Sequence, residues 1–452
     1  MSAKTAVKIN KGIASSRKSR RKTGAGALKR KASALGKGVG FARGRNDGFR
    51  EGLNDGHYFG ECNAVIAKVP KDHMPPLGLK VLYVTSGKGY PYSPLDEAII
   101  EALSEVVSVR YVVPPNINVA ATAQQLRPDL VLALEGMEFP PEQVRAIRSL
   151  GIPAAVWFTD DPYYTDFTPR LALHYDYVFT QDIGCVDYYK RFGHTNVYHL
   201  PLAANPSVYR PLPLTPNFRK DVSFIGSAFW NRVHFMDQVA KAFAGKRVFI
   251  SGWWWQRMKS YRRLASQINT RVWMGPVETA RHYFGSKIVL NIHRSATDES
   301  WNSNRRRIQA QSVNPRTFEI AACGAFQLTD VRHDLSTMYR PGEEIVTYHS
   351  PHDFIEKMNH YLTHERERRD IALRGLRRTL LEHTYPKRLR SLLKIVFPHK
   401  FVPITEPEFV NLEQVLPAIG GLEADETIKR TVGYEEEGTH ESHSEKKDSA
   451  AG

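Results

Sequence analysis

"NPRTFEIAACGAFQLTD", residues 314–330, carries one arginine and one glutamate into an apolar stretch, stops at glycine, and ends in a short apolar run closed by aspartate. The apolar stretch with glycine as its stop reads as a buried helix, and "AFQLTD" reads as the strand that follows. Outward from it the same alternation holds. Upstream lie strand "DVSFIGSAF", helix "RVHFMDQVAKAFAG", strands "RVFISGWWW" and "RVWMG", helix "VETARHYFGS" and strand "KIVLNIH". Downstream, "EEIVTYHS" leads into a helical series through about Val396. Strands alternating with helices predict a parallel sheet covered on both faces, here over residues 221–396.

A proline-marked stretch, "NPSVYRPLPLTPNF", precedes this series and reads as a linker over 206–220. Before it the alternation runs once more: "KVLYVTSG", "VSVRYVV", "RPDLVLALEG", "PAAVWFTDD", "YDYVFTQD" and "NVYHLPLA" as strands, with helices "SPLDEAIIEALSEVV", "PPEQVRAIRSLG" and "CVDYYKRFG" between them. The fold class is therefore α/β, two tandem Rossmann-like domains over 77–205 and 221–396. Ligands of such sheets bind at the carboxyl ends of the strands, so the cleft between the two lobes is where chemistry is expected.

The chain has 452 residues and a formal net charge of +16. Residues 1–45 hold fourteen Lys and Arg and no acid, while residues 405–452 hold twelve acids against four bases. The ends read as charged disordered arms, a basic one over 1–45 and an acidic one over 397–452. The basic arm is suited to a polyanion or an anionic surface. The stretch "GRNDGFREGLNDGHYFG", residues 44–60, leads into the segment 46–76 and has glycine at 44, 48, 52, 56 and 60. That is either a helix with a glycine face open to close backbone approach or a flexible linker. Cys62, Cys185 and Cys323 lack zinc or disulfide spacing. No apolar run is long enough for a transmembrane segment, and a cytoplasmic location is expected.

Several loops fall on the cleft edge. Ser86, Gly87, Lys88 and Gly89 follow the first strand and can present backbone donors to a substrate, or form an ordinary turn. Asp160 and Asp161 end "FTDD", where a carboxylate can take a proton from an acceptor hydroxyl; because side chains alternate, one of them works while the other caps the next turn, or an Asx-Pro turn explains Asp161-Pro162 without catalysis. His293 is a second candidate base, or hydrogen-bonds its neighbours. Gly226 and Arg232 after "VSFIG" suit a phosphate, the glycine by close backbone approach and the arginine by paired hydrogen bonds, or form a plain turn. The segment 295–312 reads as a polar lid with Arg305, Arg306 and Arg307 near the phosphates, or as a solvated loop.

Taken in order, "VSFIGSAFWNR", "LNIHR", "NPRTFEIAACGAFQLTD" and "EHTYPKRL" resemble the C-terminal half of group-1-type glycosyltransferases of the CgeB-like spore-maturation family. "AAVWFTDDP" and "YDYVFTQD" resemble the N-terminal half, and the likeness covers about residues 78–396. The resemblance implies the GT-B fold and a metal-independent transfer of a hexose-type sugar from a nucleoside diphosphate to a hydroxyl on a glycan, wall polymer or protein. It implies no cofactor and no metal beyond the nucleotide-sugar substrate. Glu319 would accept hydrogen bonds from the donor ribose, and Arg316, Asn314, Arg294, Gly226 and Arg232 would face the diphosphate. Relatives carry a second glutamate where this chain has Gln311, which cannot stabilise positive charge as a carboxylate does. That departure keeps a non-catalytic saccharide-binding or assembly protein of the spore surface or envelope as the alternative. His383 and Tyr385 are read as packing residues of the last helix.

Overall fold

The computed structural model describes residues 25–70, 74–270, 273–297 and 301–401, with side chains from residue 39 onward. The first sheet comprises β1 (Leu77–Val84), β2 (Val107–Val113), β3 (Leu130–Leu134), β4 (Ala154–Phe158), β5 (Tyr177–Thr180) and β6 (Val197–His199), in the order 2-1-3-4-5-6. Every pair is parallel. β3 and β4 are buried at every position, the reason they read as unbroken apolar runs. Edge strand β2 alternates between covered and exposed residues instead. A helix that periodicity does not flag, Val119–Leu126, joins β2 to β3; it is short and buries only Val119 and Ala123.

The second sheet comprises β7 (Lys220–Ile225), β8 (Val248–Ser251), β9 (Ile268–Asn269), β10 (Ser286–Asn291), β11 (Gln327–Asp330) and β12 (Val346–Tyr348), ordered 12-11-10-7-8-9 and parallel throughout. The expected strand "RVWMG" is not where the edge forms. Residues 271–272 lie outside the described residues, 273–275 are not a strand, and Ile268 and Asn269 are the pair in register with Ile250 and Ser251. The strand order reverses between β1 and β3 in one sheet and between β7 and β10 in the other. At each reversal adjacent loops leave in opposite directions and open a crevice at the carboxyl ends.

The two lobes are stitched together near the linker and again at the last helix. Ala204 exchanges backbone hydrogen bonds with residues around His383, at 3.0 Å to His383 O and 3.3 Å from Tyr385 N. Helix Tyr385–Val396, expected within the second lobe, then returns to pack on helix Ser93–Val106 of the first. Its buried Arg388 donates to Pro201 O at 3.0 Å. His383 bonds Met338 O at 2.8 Å, a packing role.

The arms differ from expectation where they are described. A helix runs from Ala25 to Lys68, so residues 25–45 are helical, because Ala, Leu, Lys and Arg are strong helix formers even without large apolar neighbours. Residues 398–401 form a short helical turn. The rest of both arms, 1–24 and 402–452, lies outside the described residues. The glycine face of the long helix meets nothing: a Cβ at Gly44, Gly48, Gly52, Gly56 or Gly60 would find no atom within 4 Å. The helix docks through other residues. Tyr58 stacks on Phe284 at 5.9 Å, Cys62 is buried, and Asp55 and Glu51 pair with Arg219 at 2.7 and 3.0 Å.

Candidate active site

At the reversal point of the second sheet, the segments after β7, β10 and β11 and the helix Arg316–Ala322 bring together side chains separated by up to a hundred residues. Gly226 ends β7, and a Cβ there would stand 2.7 Å from Arg316 Nη1 and 3.2 Å from Arg232 Nη1, so only glycine leaves both guanidiniums in place. Arg232 is buried beneath this loop, donating to Ile292 O and Ser227 O at 3.0 Å each. Burial, then the neighbouring Arg316 charge, holds its pKa well below the usual range. Arg316 donates to Ile225 O at 3.2 Å. Arg294 lies over the rings of Tyr163 and Phe229 at 4.2 and 4.3 Å. Arg332, which the sequence does not single out, donates to Arg294 O at 3.2 Å and Ala310 O at 2.7 Å.

The Nε atoms of Arg294, Arg316 and Arg332 and the Nε2 of His293 are buried without a protein partner. Four guanidiniums share this pocket with Asp330, which lies 2.5 Å from His293 Nδ1 and 3.7 Å from Arg332. Burial raises the Asp330 pKa, yet His293 and Arg332 hold it below the carboxylate range overall. Burial lowers His293 to about 4 against the pull of Asp330, so the imidazole is neutral at physiological pH. A set of buried donors with so few counter-charges is complementary to a polyanion.

Helix Arg316–Ala322 carries Glu319 one turn beyond Arg316. Burial pushes its carboxyl up to about 7, against the pull of Arg316 and a hydrogen bond from Tyr209 of the linker. Asn314 exchanges amide hydrogen bonds with Asn291 at 2.9 and 3.2 Å and accepts from Thr317 N at 3.2 Å, so its side chain starts the helix. Gln311 donates its backbone N–H to Asp182 of the first lobe at 2.9 Å, and its amide would stand 3.1 Å from a Cβ at Gly184.

The facing loops of the first lobe also gather at their reversal point. Ser86 is buried and bound to the Asp96 carboxylate, 2.6 Å from its hydroxyl and 3.0 Å from its N–H, so it fixes the loop rather than meeting a substrate. Gly87 has φ +72 and a Cβ there would stand 2.5 Å from Pro115. Gly89 accepts from the backbone of Tyr92 at 2.9 Å, and Lys88 reaches over the Tyr92 ring at 4.6 Å. Beyond β3, Glu135 is buried with φ +62 and accepts from Thr159 N at 2.5 Å. Burial, then the Asp160 charge, pushes it up to about 8. Asp160 is half-buried and accepts from the Tyr92 hydroxyl.

The two adjacent aspartates part company. Asp161 is buried inside the first lobe, accepting from Thr180 at 2.6 Å and Tyr189 at 2.8 Å. Burial pushes it up to about 7. It cannot act as a base in the cleft, because its side chain is closed off by those hydroxyls, whereas Asp160 faces the Lys88 loop.

Between the clusters, Tyr163 donates to Arg294 O at 3.1 Å. Of the segment expected as a lid, residues 298–300 lie outside the described residues, and 301–312 form a strap docked on the first lobe: Ser303 pairs backbone with Tyr163 and Asp166 at 2.8 Å each, and Thr165 donates to Asn304 Oδ1 at 2.9 Å. Arg305, Arg306 and Arg307 are exposed on it, Arg305 pairing with Asp166 at 3.4 Å and Arg306 lying over the Tyr188 ring at 5.9 Å.

Two parallel sheets reversing at a shared cleft, one carrying an arginine cluster with three buried, partnerless Nε atoms, define a GT-B fold, and the comparisons agree. The family model described as glycosyl transferase-like matches residues 232–394. The spore protein CgeB of Bacillus subtilis is 29% identical over 319 residues, 70% of this chain and 98% of that protein. Anabaena HepE solved with UDP-glucose aligns with TM-score 0.50 at 10% identity, over 71% of this chain and 100% of that one. Sucrose-phosphate synthase of Thermosynechococcus elongatus aligns with TM-score 0.50 at 11% identity, over the same shares. The chain is thus similar to the spore protein CgeB, has the GT-B fold, and carries the glycosyl transferase-like match over its second lobe.

Proposed function

We propose that this protein transfers a hexose-type sugar from a nucleoside diphosphate to a hydroxyl acceptor, in spore or envelope glycosylation, a setting supported by the likeness to CgeB. The observation that carries the chemistry is the partnerless Nε atoms of Arg294, Arg316 and Arg332 around Gly226. The donor pyrophosphate sits there, with its ribose at Glu319. As the acceptor oxygen bonds to the anomeric carbon, the carbon–oxygen bond to the diphosphate breaks and its electron pair leaves with the nucleotide. The guanidiniums stabilise that charge from a partly buried pocket, which makes a divalent ion unnecessary. The acceptor proton goes to Asp160, the half-buried carboxylate on the facing loop.

Titration calorimetry with UDP and other nucleoside diphosphates, in a chelating buffer, tests this. Binding is expected without divalent ions, and Glu319→Ala is expected to weaken it by about 1.5–3 kcal/mol, the loss of one hydrogen bond to a charged group. Unchanged affinity in that variant removes Glu319 from the site; no binding of any diphosphate by the intact chain removes the donor reading.

A further inference from the structure

Four of the seven tryptophans are exposed, Trp230, Trp253, Trp273 and Trp301, and all four lie in one connected surface. From Tyr90 on the first lobe the rings run to Trp273 at 6.0 Å and to Trp253 at 5.4 Å, then to Trp254 at 6.1 Å and Trp301 at 6.0 Å, the last pair stacked. Arg257 lies over Trp254 at 4.8 Å and over Trp230 at 5.0 Å, extending the surface to the fourth exposed indole. Trp301 is 61% exposed and Tyr90 57%, so a large apolar area is left in water.

The fold holds this surface at the mouth of the cleft. The turn after β8, "GWWW", is bonded to the loop after β7: Gly226 N donates to Ser251 O and Ala228 N to Trp253 O, both at 2.8 Å, and Trp255 Nε1 donates to Gly226 O at 3.0 Å. A Cβ on Gly252 would stand 2.1 Å from Gly226 O, so the two turns touch backbone to backbone. Trp254 is held at φ +68, a left-handed conformation that a non-glycine residue rarely adopts. Phe229 joins the two regions, 5.9 Å from Trp254 on one side and under the Arg294 guanidinium at 4.3 Å on the other. At the far end Tyr90 is two residues from Tyr92, which holds Asp160.

We infer that this aromatic surface is the acceptor platform and that its occupant is a saccharide chain, stacked by the apolar C–H faces of successive pyranose rings. The inference rests on the transferase reading for the word acceptor. The exposed apolar groups linked along this track are aromatic rings rather than aliphatic side chains. Flat rings of negative face and indole N–H donors at their edge suit a sugar, whose C–H bonds present weak positive charge and whose rim carries hydroxyls. The track leads from the arginine pocket past Phe229 toward the Asp160 loop, so a stacked chain offers its end hydroxyl between donor and base.

Native electrophoresis of the intact chain through gels containing a neutral soluble β-glucan, galactomannan or xylan tests the platform, neutral polymers being chosen so that the basic arm does not contribute. Retardation by at least one polymer is expected. It should fall at least tenfold in apparent affinity in Trp253→Ala/Trp273→Ala and in Trp301→Ala, recover in part in Trp253→Tyr, and leave UDP affinity unchanged. Saccharide binding that depends on these tryptophans in a chain that does not bind UDP supports the platform and removes only the donor reading. A chain that binds UDP but is retarded by no polymer, or equally retarded in the variants, overturns it. So does tryptophan-dependent binding of a single-stranded oligonucleotide in place of the polymers, or a dimer that the double variant abolishes.

Discussion

Asp160 and Asp161 show how one step along the backbone changes a carboxylate's work. Both follow a strand of unbroken apolar residues, and alternation alone says that they diverge without saying which one faces the cleft. Hydroxyls of Thr180 and Tyr189 close over Asp161, and Tyr92 orients Asp160. If Asp160 takes the acceptor proton, Asp160→Asn should lower kcat by about 10²–10⁴-fold while leaving UDP affinity within twofold, read by steady-state assay beside calorimetry. Equal kcat in the variant would pass the base role to His293, whose neutral ring keeps Nε2 without a protein partner. Arg316, Glu319, Gly226 and Arg232 could be singled out from strand-end position and resemblance, because each sits within a short motif. Arg332 and Glu135 could not. One is a lone cation two residues past a strand, the other an acid at a strand end before glycine, and only the reversal of strand order at β1/β3 signals that the latter lies at a crevice.

At the scale of elements, the helix Ala25–Lys68 separates what periodicity measures from what packing uses. A four-residue glycine period marks a face, and the natural reading is a face for close approach, yet the structure docks Tyr58, Phe59 and Cys62 instead. Exposed glycine in a helix interior costs about 1 kcal/mol relative to alanine. Gly48→Ala and Gly52→Ala, whose Cβ atoms would meet nothing, should therefore each stabilise the protein by up to about 1 kcal/mol in denaturant unfolding. Destabilisation by either would mean that the glycine face is covered in solution. The strands were legible because β3, β4 and β10 must be apolar to be buried on both faces. The edge strand β9 was not, since pairing through two residues with one neighbour leaves little demand on sequence.

For the molecule as a whole, burial displaces acids and bases in opposite directions, and stability should follow. Burial lowers His199, His282 and His293 to about 4 and His383 to about 3, so these sites bind fewer protons folded than unfolded and add stability as pH rises toward 6.5. Burial raises Glu135 to about 8, Asp161 and Glu319 to about 7 and Asp182 to about 6, so these bind more protons folded and lose stability as pH rises. Below pH 6.5 the two sets oppose each other, whereas above it the carboxyls act alone. Tm should fall between pH 6.5 and 8 and then level, with a smaller fall in Glu135→Gln; a Tm that climbs steadily to pH 8 would contradict the buried carboxyls.

The sequence by itself determined two alternating lobes, the linker between them and the short motifs at strand ends, because burying both faces of a parallel sheet requires apolar runs and turning at its edge requires glycine, proline and capping residues. Only the tertiary structure decided that four arginines from four segments share one pocket, that Asp161 belongs to the core, that the supposed lid is a strap, and that five aromatic rings from both lobes line one track. Those are juxtapositions of residues from separate elements, set by strand order and lobe docking, and local periodicity carries no record of them.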